Sequence, residues 1–225
     1  GVARDRADLL PNWADLRAVR PLDRPSAYRA RLNLPATTRV ALFSGTWSAK
    51  QGLEGIVGAA RQLAHRSDLL FVICGQGAMQ AELQAAEAQL PNLRLLPLQP
   101  VEQLGELLGL ADLHLLPQSV QAEDLVLPSK LTNMLASGRP VVATCREATE
   151  LADVVRHCGA VVPPGDEAAL AQAISSLMDA PERRAALGRR AREHAQKRLD
   201  RDAVLSVLQA RLAQAVSANA HKVGA

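Results

Sequence analysis

Short apolar runs bounded by glycine or proline alternate along the chain with longer segments in which apolar residues recur at helical spacing. The runs are Val40-Ala41-Leu42-Phe43-Ser44, Leu69-Leu70-Phe71-Val72-Ile73-Cys74, Leu93-Arg94-Leu95-Leu96, Leu113-His114-Leu115-Leu116, Pro140-Val141-Val142-Ala143-Thr144 and Ala160-Val161-Val162. Most are continuously apolar, the pattern of strands buried on both faces, and such strands belong to parallel sheets. Between and after them the spacing predicts helices near 52–66, 78–90, 101–110, 129–137, 147–156 and 167–179. Leu53, Ile56, Val57 and Ala60 form the apolar stripe of the first. This alternation predicts an α/β fold, a doubly wound parallel sheet of about six strands with right-handed crossovers. The segment 181–218 reads as two extra C-terminal helices, the first opened by Pro181. The second carries Val204, Leu205, Val207, Leu208, Leu212 and Val216, a stripe that must pack on the sheet or on a partner. Before residue 38 the pattern is irregular, broken by Pro11, Pro21, Pro25 and Pro35, with a turn expected at Asn12-Trp13-Ala14-Asp15. The expected organisation is therefore a lead-in linker over 1–37, a ligand-binding domain over 38–218 and a tail over 219–225.

Composition narrows the functional classes. A chain of 225 residues, 48% hydrophobic and 22% charged, can bury a full core and is neither disordered nor collagen-like. No run of about 18 apolar residues occurs, and the start GVARDRADLL lacks the charged-then-apolar pattern of a signal peptide, so a cytoplasmic protein is expected. Cys74, Cys145 and Cys158 are too few and scattered for a disulfide framework or zinc site and fit a reducing compartment. The net charge of +3 tolerates an anionic ligand without arguing for nucleic acid. Trp13, Tyr28, Phe43, Trp47 and Phe71 are all the aromatic residues, too few for base-stacking platforms or a lectin-like sugar cleft. The five histidines show no metal spacing, no nucleophile elbow or Walker motif is present, and His114, inside a strand, is expected to be a satisfied core imidazole. Arg183, Arg184, Arg189, Arg190, Arg192, Lys197, Arg198 and Arg201 alternate with Glu182, Glu193 and Asp200. This is read as a solvated helix face in preference to a phosphate or membrane patch. Asp200-Arg201-Asp202 is likewise read as solvated surface and not as a metal site.

Ligands of open parallel sheets sit outside the carboxyl ends of the strands, so the loops there are the candidates. After the first strand, Ser44-Gly45-Thr46-Trp47-Ser48-Ala49-Lys50-Gln51-Gly52 is a loop of mostly small residues with one lysine. It either brings backbone N–H groups and a cation to an anion or is a plain turn. Cys74-Gly75-Gln76-Gly77 is a nucleotide-facing turn or simply a tight one. The loop after the fourth strand is longer than a sheet connection needs. It ends in Leu127-Pro128-Ser129-Lys130-Leu131, a helix start in which Pro128 and Ser129 compete for the cap. A helix amino end with free N–H groups, a hydroxyl and a lysine suits an anion, and Asn133, one turn on from Lys130, can face the same ligand. Glu123 and Asp124 in this loop are solvated surface or accept hydrogen bonds from ligand hydroxyls.

Three stretches, GTWSAKQGL (45–53), LVLPSKLTNMLASGRPVVA (125–143) and GAVVPPGDEAALAQAI (159–174), carry a family resemblance. From Leu10-Pro11-Asn12-Trp13 to about Leu208 the chain resembles the C-terminal, donor-binding half of retaining GT-B glycosyltransferases of the family-4 type. Within that family it is similar to enzymes of colanic-acid-like exopolysaccharide assembly. The resemblance implies a Rossmann-like domain, one half of a GT-B fold, with Leu10-Pro11-Asn12 at the linker where that half begins. It implies a UDP- or GDP-linked sugar as donor substrate, transfer of a hexosyl group with retention, no cofactor and no required metal. The acceptor would be a lipid-linked saccharide held by an N-terminal domain outside this chain, so the fragment alone would be inactive. The implied setting is the cytoplasm, peripheral to the inner face of the cytoplasmic membrane. Carried over by position, Gly45 and Thr46 face the diphosphate and Lys50 and Lys130 are its cations. The backbone of Leu127, Pro128 and Ser129 cradles the phosphates, while Gly75 and the segment 96–99, with Leu98, border the base. The sequence departs from the family at Thr46, where an arginine is usual, at Gln51, where a lysine is usual, and in the paired glutamates. The second of that pair falls on Asn133, a ribose contact, and the first on Leu125 or, shifted by two, on Glu123. Glu123 is favoured as the donor-sugar contact because leucine accepts no hydrogen bond. The readings weighed against this are a sugar-nucleotide epimerase half, a basic nucleic-acid-binding module, and an interaction scaffold or homodimer built on the last helix.

Overall fold

The structure is a computed structural model in which residues 10–120 and 127–223 are described. Six parallel strands form one sheet in the order β3-β2-β1-β4-β5-β6. They are β1 (Arg39–Thr46), β2 (Leu69–Gln76), β3 (Leu93–Pro97), β4 (Leu113–Leu116), β5 (Val141–Thr144) and β6 (Gly159–Val162). The helices are α1 (Ala27–Arg31), α2 (Leu53–Gln62), α3 (Gln80–Gln89), α4 (Leu104–Gly109), α5 (Ser129–Ala136), α6 (Glu150–Cys158), α7 (Glu167–Met178), α8 (Pro181–Arg198) and α9 (Arg201–Val223). The doubly wound α/β arrangement predicted from the apolar runs is the one observed. Successive strand residues point to opposite faces. Val40, Leu42 and Val72 pack with Leu107, Leu135, Val155 and Ala191 from α4, α5, α6 and α8. Ala41, Phe43, Phe71 and Ile73 pack with Ile56, Leu83 and Ile174 from α2, α3 and α7. Both faces are covered, so neither set of alternate positions needs polar residues; each fully buried Leu, Ile or Phe contributes about 1.5–3 kcal/mol.

Two details explain why particular residues stand in the sheet. Gly159 is extended, and a Cβ on it would lie 1.7 Å from the carbonyl oxygen of Val141, so β6 reaches β5 only because a side chain is absent. His114 is fully buried on the α5 side, with Nε2 2.9 Å from Ser137 Oγ. The Ser137 hydroxyl donates to Met134 O, so Nε2 of His114 carries the proton and donates to Oγ. Nδ1 then has no partner, and the expectation of a satisfied imidazole holds at one nitrogen only. Burial lowers the pKa of His114 from 6.5 to about 3 and keeps the ring neutral.

The lead-in segment is packed against the domain from Ala14 onward. Ala14, Val19 and Tyr28 are core residues, and Ala14 forms an isolated parallel bridge with Asp200. The expected turn at 12–15 is displaced to 16–18, where Asp15 Oδ1 accepts from the backbone N–H groups of Arg17 and Ala18. Arg192 reaches back from α8 to donate to the carbonyls of Leu16 (3.2 Å), Val19 (3.0 Å) and Ala136 (2.8 Å). It thereby joins the lead-in to the negative end of α5. Arg201 pairs with Asp15 at 2.7 Å and Arg17 with Asp202 at 3.0 Å. The basic run and the Asp-Arg-Asp triplet are thus partly structural and not simply solvated, because tertiary carbonyls and carboxylates meet Arg192 and Arg201. Helix α9 runs to Val223, past the expected domain end at 218. Its apolar stripe is buried at Val204, while Val207 and Leu212 are exposed; the side chain of Val216 lies outside the described residues.

Candidate functional site

The sheet order places β1 and β4 side by side, and the chain winds outward from them in opposite directions. That switch point opens a crevice beyond their carboxyl ends. A cleft of about 900 Å³ lies there. Lys50 and Gln51 line it from the β1–α2 connection, Glu54 from the first turn of α2, Gln118 and Ser119 from the segment after β4, and Pro128 and Lys130 from the start of α5. Its size suits a ligand of nucleotide dimensions.

Lys130 is the best-defined cation of the cleft. Pro128 takes the N-cap position of α5 and offers no capping side chain, and Ser129 is the first helical residue. In the first turn, Lys130 directs its ammonium over the Phe43 ring, 4.6 Å from the centroid, and donates to Gln51 Oε1. Nζ lies 3.0 Å from where a Cβ on Gly45 would stand. Burial lowers its pKa from 10.5 to about 8. The ring face and the amide oxygen favour the charged form against that desolvation. Lys50 sits exposed on the 3₁₀ turn Ala49–Gln51, so the fold brings both predicted lysines to one cleft.

The glycines behave differently from the expectation. β1 continues through Gly45 and Thr46, paired with Gly75 and Gln76 of β2, and the loop proper begins at Trp47. Gly45 is therefore a strand glycine that leaves room for the lysine, and Thr46 is the exposed strand end. Gly75 has φ +153°, and a Cβ there would lie 1.9 Å from Gly45 O and 2.9 Å from Trp47 Nε1. It is glycine because two strands and an indole converge on it, and it faces no open space.

Other expected site residues lie outside the cleft lining or outside the described residues. Leu127 is half-buried against the core and lines a separate apolar groove with Leu10, Val154 and Val204. Ser129 is exposed, and neither it nor the half-buried Asn133 is among the described residues lining the cleft. Leu98 is exposed beyond β3, also outside that lining, and its neighbour Gln99 accepts from Tyr28 OH at 2.9 Å. Glu123, Asp124 and Leu125 lie outside the described residues.

Two further residues shape the cleft: Gln51, marked in the sequence only as a departure from the lysine usual in the family, and Gln118, which carried no signal of its own. Gln51 receives the Lys130 ammonium from 79 positions away. Gln118 is the first polar residue after β4, and its backbone is clamped by Thr144, whose Oγ1 accepts from Gln118 N at 2.8 Å and donates to Gln118 O at 3.0 Å. The Gln118 carbonyl carbon lies 2.9 Å from where a Cβ on Gly52 would stand, and Gly52 has φ +65°. This close approach fixes the spacing of the two cleft walls.

Among the described residues, no group of three His, Cys, Asp or Glu side chains is placed to hold a metal, and no helix is long and apolar enough to cross a membrane. Burial pushes the thiols of Cys74 and Cys158 up to about 11 and about 12, which keeps both protonated.

Residues 26–194 match the sequence profile of the family described as Glycosyl transferases group 1. The putative colanic acid biosynthesis glycosyl transferase WcaI of Escherichia coli strain K12 is 35% identical over 212 residues, covering 91% of this chain and 51% of that protein. D-inositol 3-phosphate glycosyltransferase 1 of Catenulispora acidiphila is 33% identical over 208 residues, covering 87% of this chain and 49% of that protein. The chain thus spans about half the length of these curated relatives. Sucrose-phosphate synthase from Thermosynechococcus elongatus superposes with a TM-score of 0.78 at 25% identity, covering 94% of this chain and 53% of that one. Anabaena Alr3699/HepE, solved in complex with UDP and glucose, superposes with a TM-score of 0.76 at 18% identity, covering 97% and 59%.

Proposed function

Because the chain belongs to the group 1 glycosyl transferases, we propose that it holds the nucleoside-diphosphate sugar donor, UDP- or GDP-linked, from which a hexosyl group is transferred with retention. The observation that carries this reading is the Lys130 ammonium held in the switch-point cleft beside the uncapped start of α5, with Lys50 lining the same space. A diphosphate leaving group gathers negative charge as the sugar departs. Fixed cations and helix N–H groups stabilise that charge most where water is thinned. In this proposal Lys130 and Lys50 counter the two phosphates and the backbone N–H of Ser129, the first free donor of α5, donates to them. Glu123 is proposed as the sugar contact. Asn133, which is not among the described residues lining the cleft, is given no part. The HepE complex with UDP and glucose supports a nucleotide-sugar ligand for this fold, and the name of WcaI supports a role in exopolysaccharide or other cell-surface polysaccharide synthesis. The acceptor, a lipid-linked saccharide in this reading, would be held by a domain outside the chain, at the cytoplasmic face of the membrane.

Titration calorimetry of the 225-residue chain with UDP, GDP and the parent nucleosides tests the reading. One diphosphate should bind, with or without a chelator. Lys130→Ala should weaken it about tenfold to a hundredfold, the worth of one charge-assisted hydrogen bond, and leave nucleoside binding unchanged. Absence of binding by both diphosphates on folded protein, or equal loss for diphosphate and nucleoside, would overturn the assignment.

A further inference from the structure

We propose that Gln51 is a positioning residue which, with Phe43 beneath and Gly45 beside it, holds the Lys130 ammonium at a fixed point of the cleft and leaves its charge unspent for an anionic ligand. The proposal rests on the reading that this cleft takes a nucleoside diphosphate. A lysine side chain is long, strongly hydrated and free to rotate, and on the rim of an open cleft it would swing into water. Lys130 instead lies in a partly dry slot made by three parts of the β1–α2 region. The Phe43 ring forms the floor, with the ammonium 4.6 Å from its centroid. Gly45 supplies the space, since any Cβ there would stand 3.0 Å from Nζ and 3.5 Å from Cε. Among the described residues Gln51 supplies the one directional contact, through Oε1.

The backbone behind Gln51 is itself pinned. Gln51 N donates to Ser48 O at 2.9 Å, and the next residue, Gly52, is wedged against the Gln118 carbonyl in a left-handed conformation. The reach of Gln51 is therefore set by the fold. The chemistry of the anchor matters as well. An ammonium has three N–H donors, and a neutral amide takes one of them without cancelling the charge, as a carboxylate would. Among the described residues no carboxylate pairs with Lys130, although Glu54 lines the same cleft. The burial that lowers the pKa of Lys130 to about 8 is what such a slot produces, because a lysine released to water would titrate near 10.5.

Since Lys130 Nζ and Gln51 Oε1 meet, the two side chains reach one point from opposite walls of the cleft. A lysine at 51 facing a glutamine at 130 would return the cation to that point. The test is calorimetry with UDP and GDP on the native chain, Gln51→Met, Lys130→Gln, the Gln51→Met/Lys130→Gln double variant and the Gln51→Lys/Lys130→Gln exchange. Gln51→Met should weaken diphosphate binding about three- to tenfold and leave nucleoside binding unchanged, and its effect should vanish in the Lys130→Gln background. The exchange should recover most of what Lys130→Gln loses. The pH profile gives a readout that a packing role would not move. Native affinity should fall as pH rises through about 8; in Gln51→Met the ammonium, released into water and freed of its desolvation, should move that midpoint toward 10.5, and a midpoint that falls instead, the sign of an ammonium still in the slot without its amide, would overturn the positioning role. Additive losses from the two positions, an exchange variant no better than Lys130→Gln, or an unmoved midpoint would overturn the positioning role while leaving the cleft as the binding site. A native chain that binds neither diphosphate would instead remove the reading beneath it.

Discussion

Replacing Lys130 by methionine should make the protein more stable near neutral pH while removing its grip on a diphosphate. The methionine keeps most of the aliphatic stem and discards the ammonium. Burial lowers the pKa of Lys130 from 10.5 to about 8, and each unit is worth about 1.4 kcal/mol. Below about 8 the folded protein carries a charge that the unfolded chain would hold more cheaply, at a cost of at most ~3 kcal/mol. The Gln51 bond and the Phe43 ring favour the charged form, so a net gain of about 1–3 kcal/mol is expected from the substitution. The pH dependence fixes the sign. Between about 8 and 10.5 the unfolded chain binds a proton that the folded one has released, so native stability rises with pH relative to the variant. The gap should be widest near neutrality and close by pH 10.5. The raised thiol pKa values of Cys74 and Cys158 act in the opposite direction at alkaline pH but are common to both proteins and cancel in the difference. Urea unfolding of both proteins across this range measures the gap. A methionine variant less stable than native near neutrality, or a gap that does not change with pH, would refute the claim that the ammonium is held against its hydration.

Gly159→Ala should lower the melting temperature by about 6 °C or more, from a loss of at least ~3 kcal/mol, because the new Cβ would stand 1.7 Å from Val141 O and force β6 from β5. A drop of less than about 2 °C in calorimetry would show that the strands part more easily than this contact requires. His114→Leu should flatten the acid sensitivity of the fold. The folded-state pKa of His114 is lowered from 6.5 to about 3, so its contribution is complete above 6.5 and is lost as pH falls toward 3. Native stability should fall relative to the variant by about 3 kcal/mol between pH 6.5 and about pH 4, and equal slopes in urea unfolding would sink that account.

The sheet and its helices were legible because their signal is local. Val141-Val142-Ala143 or Leu70-Phe71-Val72-Ile73 can be little but strands buried on both faces, and the stripe Leu53, Ile56, Ala60 lies on the helix it predicted. The family was legible from three stretches that join strand ends to the loops and helices beside them. What escaped the sequence depends on partners far along the chain. Tyr28 and Val19 are isolated apolar residues in a proline-broken segment, with no period to mark them as core. Arg192 looks like its solvated neighbours until Leu16, Val19 and Ala136 present their carbonyls to it. Gly45 reads as a loop residue because glycine is a poor strand former, yet pairing with Gly75 carries β1 past it. Asn133 was placed at the site by its spacing from Lys130 and Leu127 by the family resemblance, and neither is among the described residues lining the cleft; the Leu127 side chain packs toward the groove beside Val154 and Val204.

Several departures from good packing lie at the place where strand order reverses. Gly52 is left-handed beneath the Gln118 carbonyl, the Lys130 ammonium is partly dried, and the buried atoms Trp47 Nε1 and Gln118 Oε1 have no hydrogen-bond partner among the described residues. Each of these lowers stability by an amount that a simpler loop would avoid. They share one geometric origin. The connection after β1 must lie close to the segment after β4, so that Gln51, on the first, can meet the lysine of α5, which follows the second. Gly52 permits that approach and Thr144 holds it from the far side. Widening the cleft would relieve the crowding at Gly52 and rehydrate the ammonium, but it would separate Gln51 from Lys130. On this argument the strain and the fixed charge are consequences of one spacing, and a substitution that relaxes the first will also disperse the second.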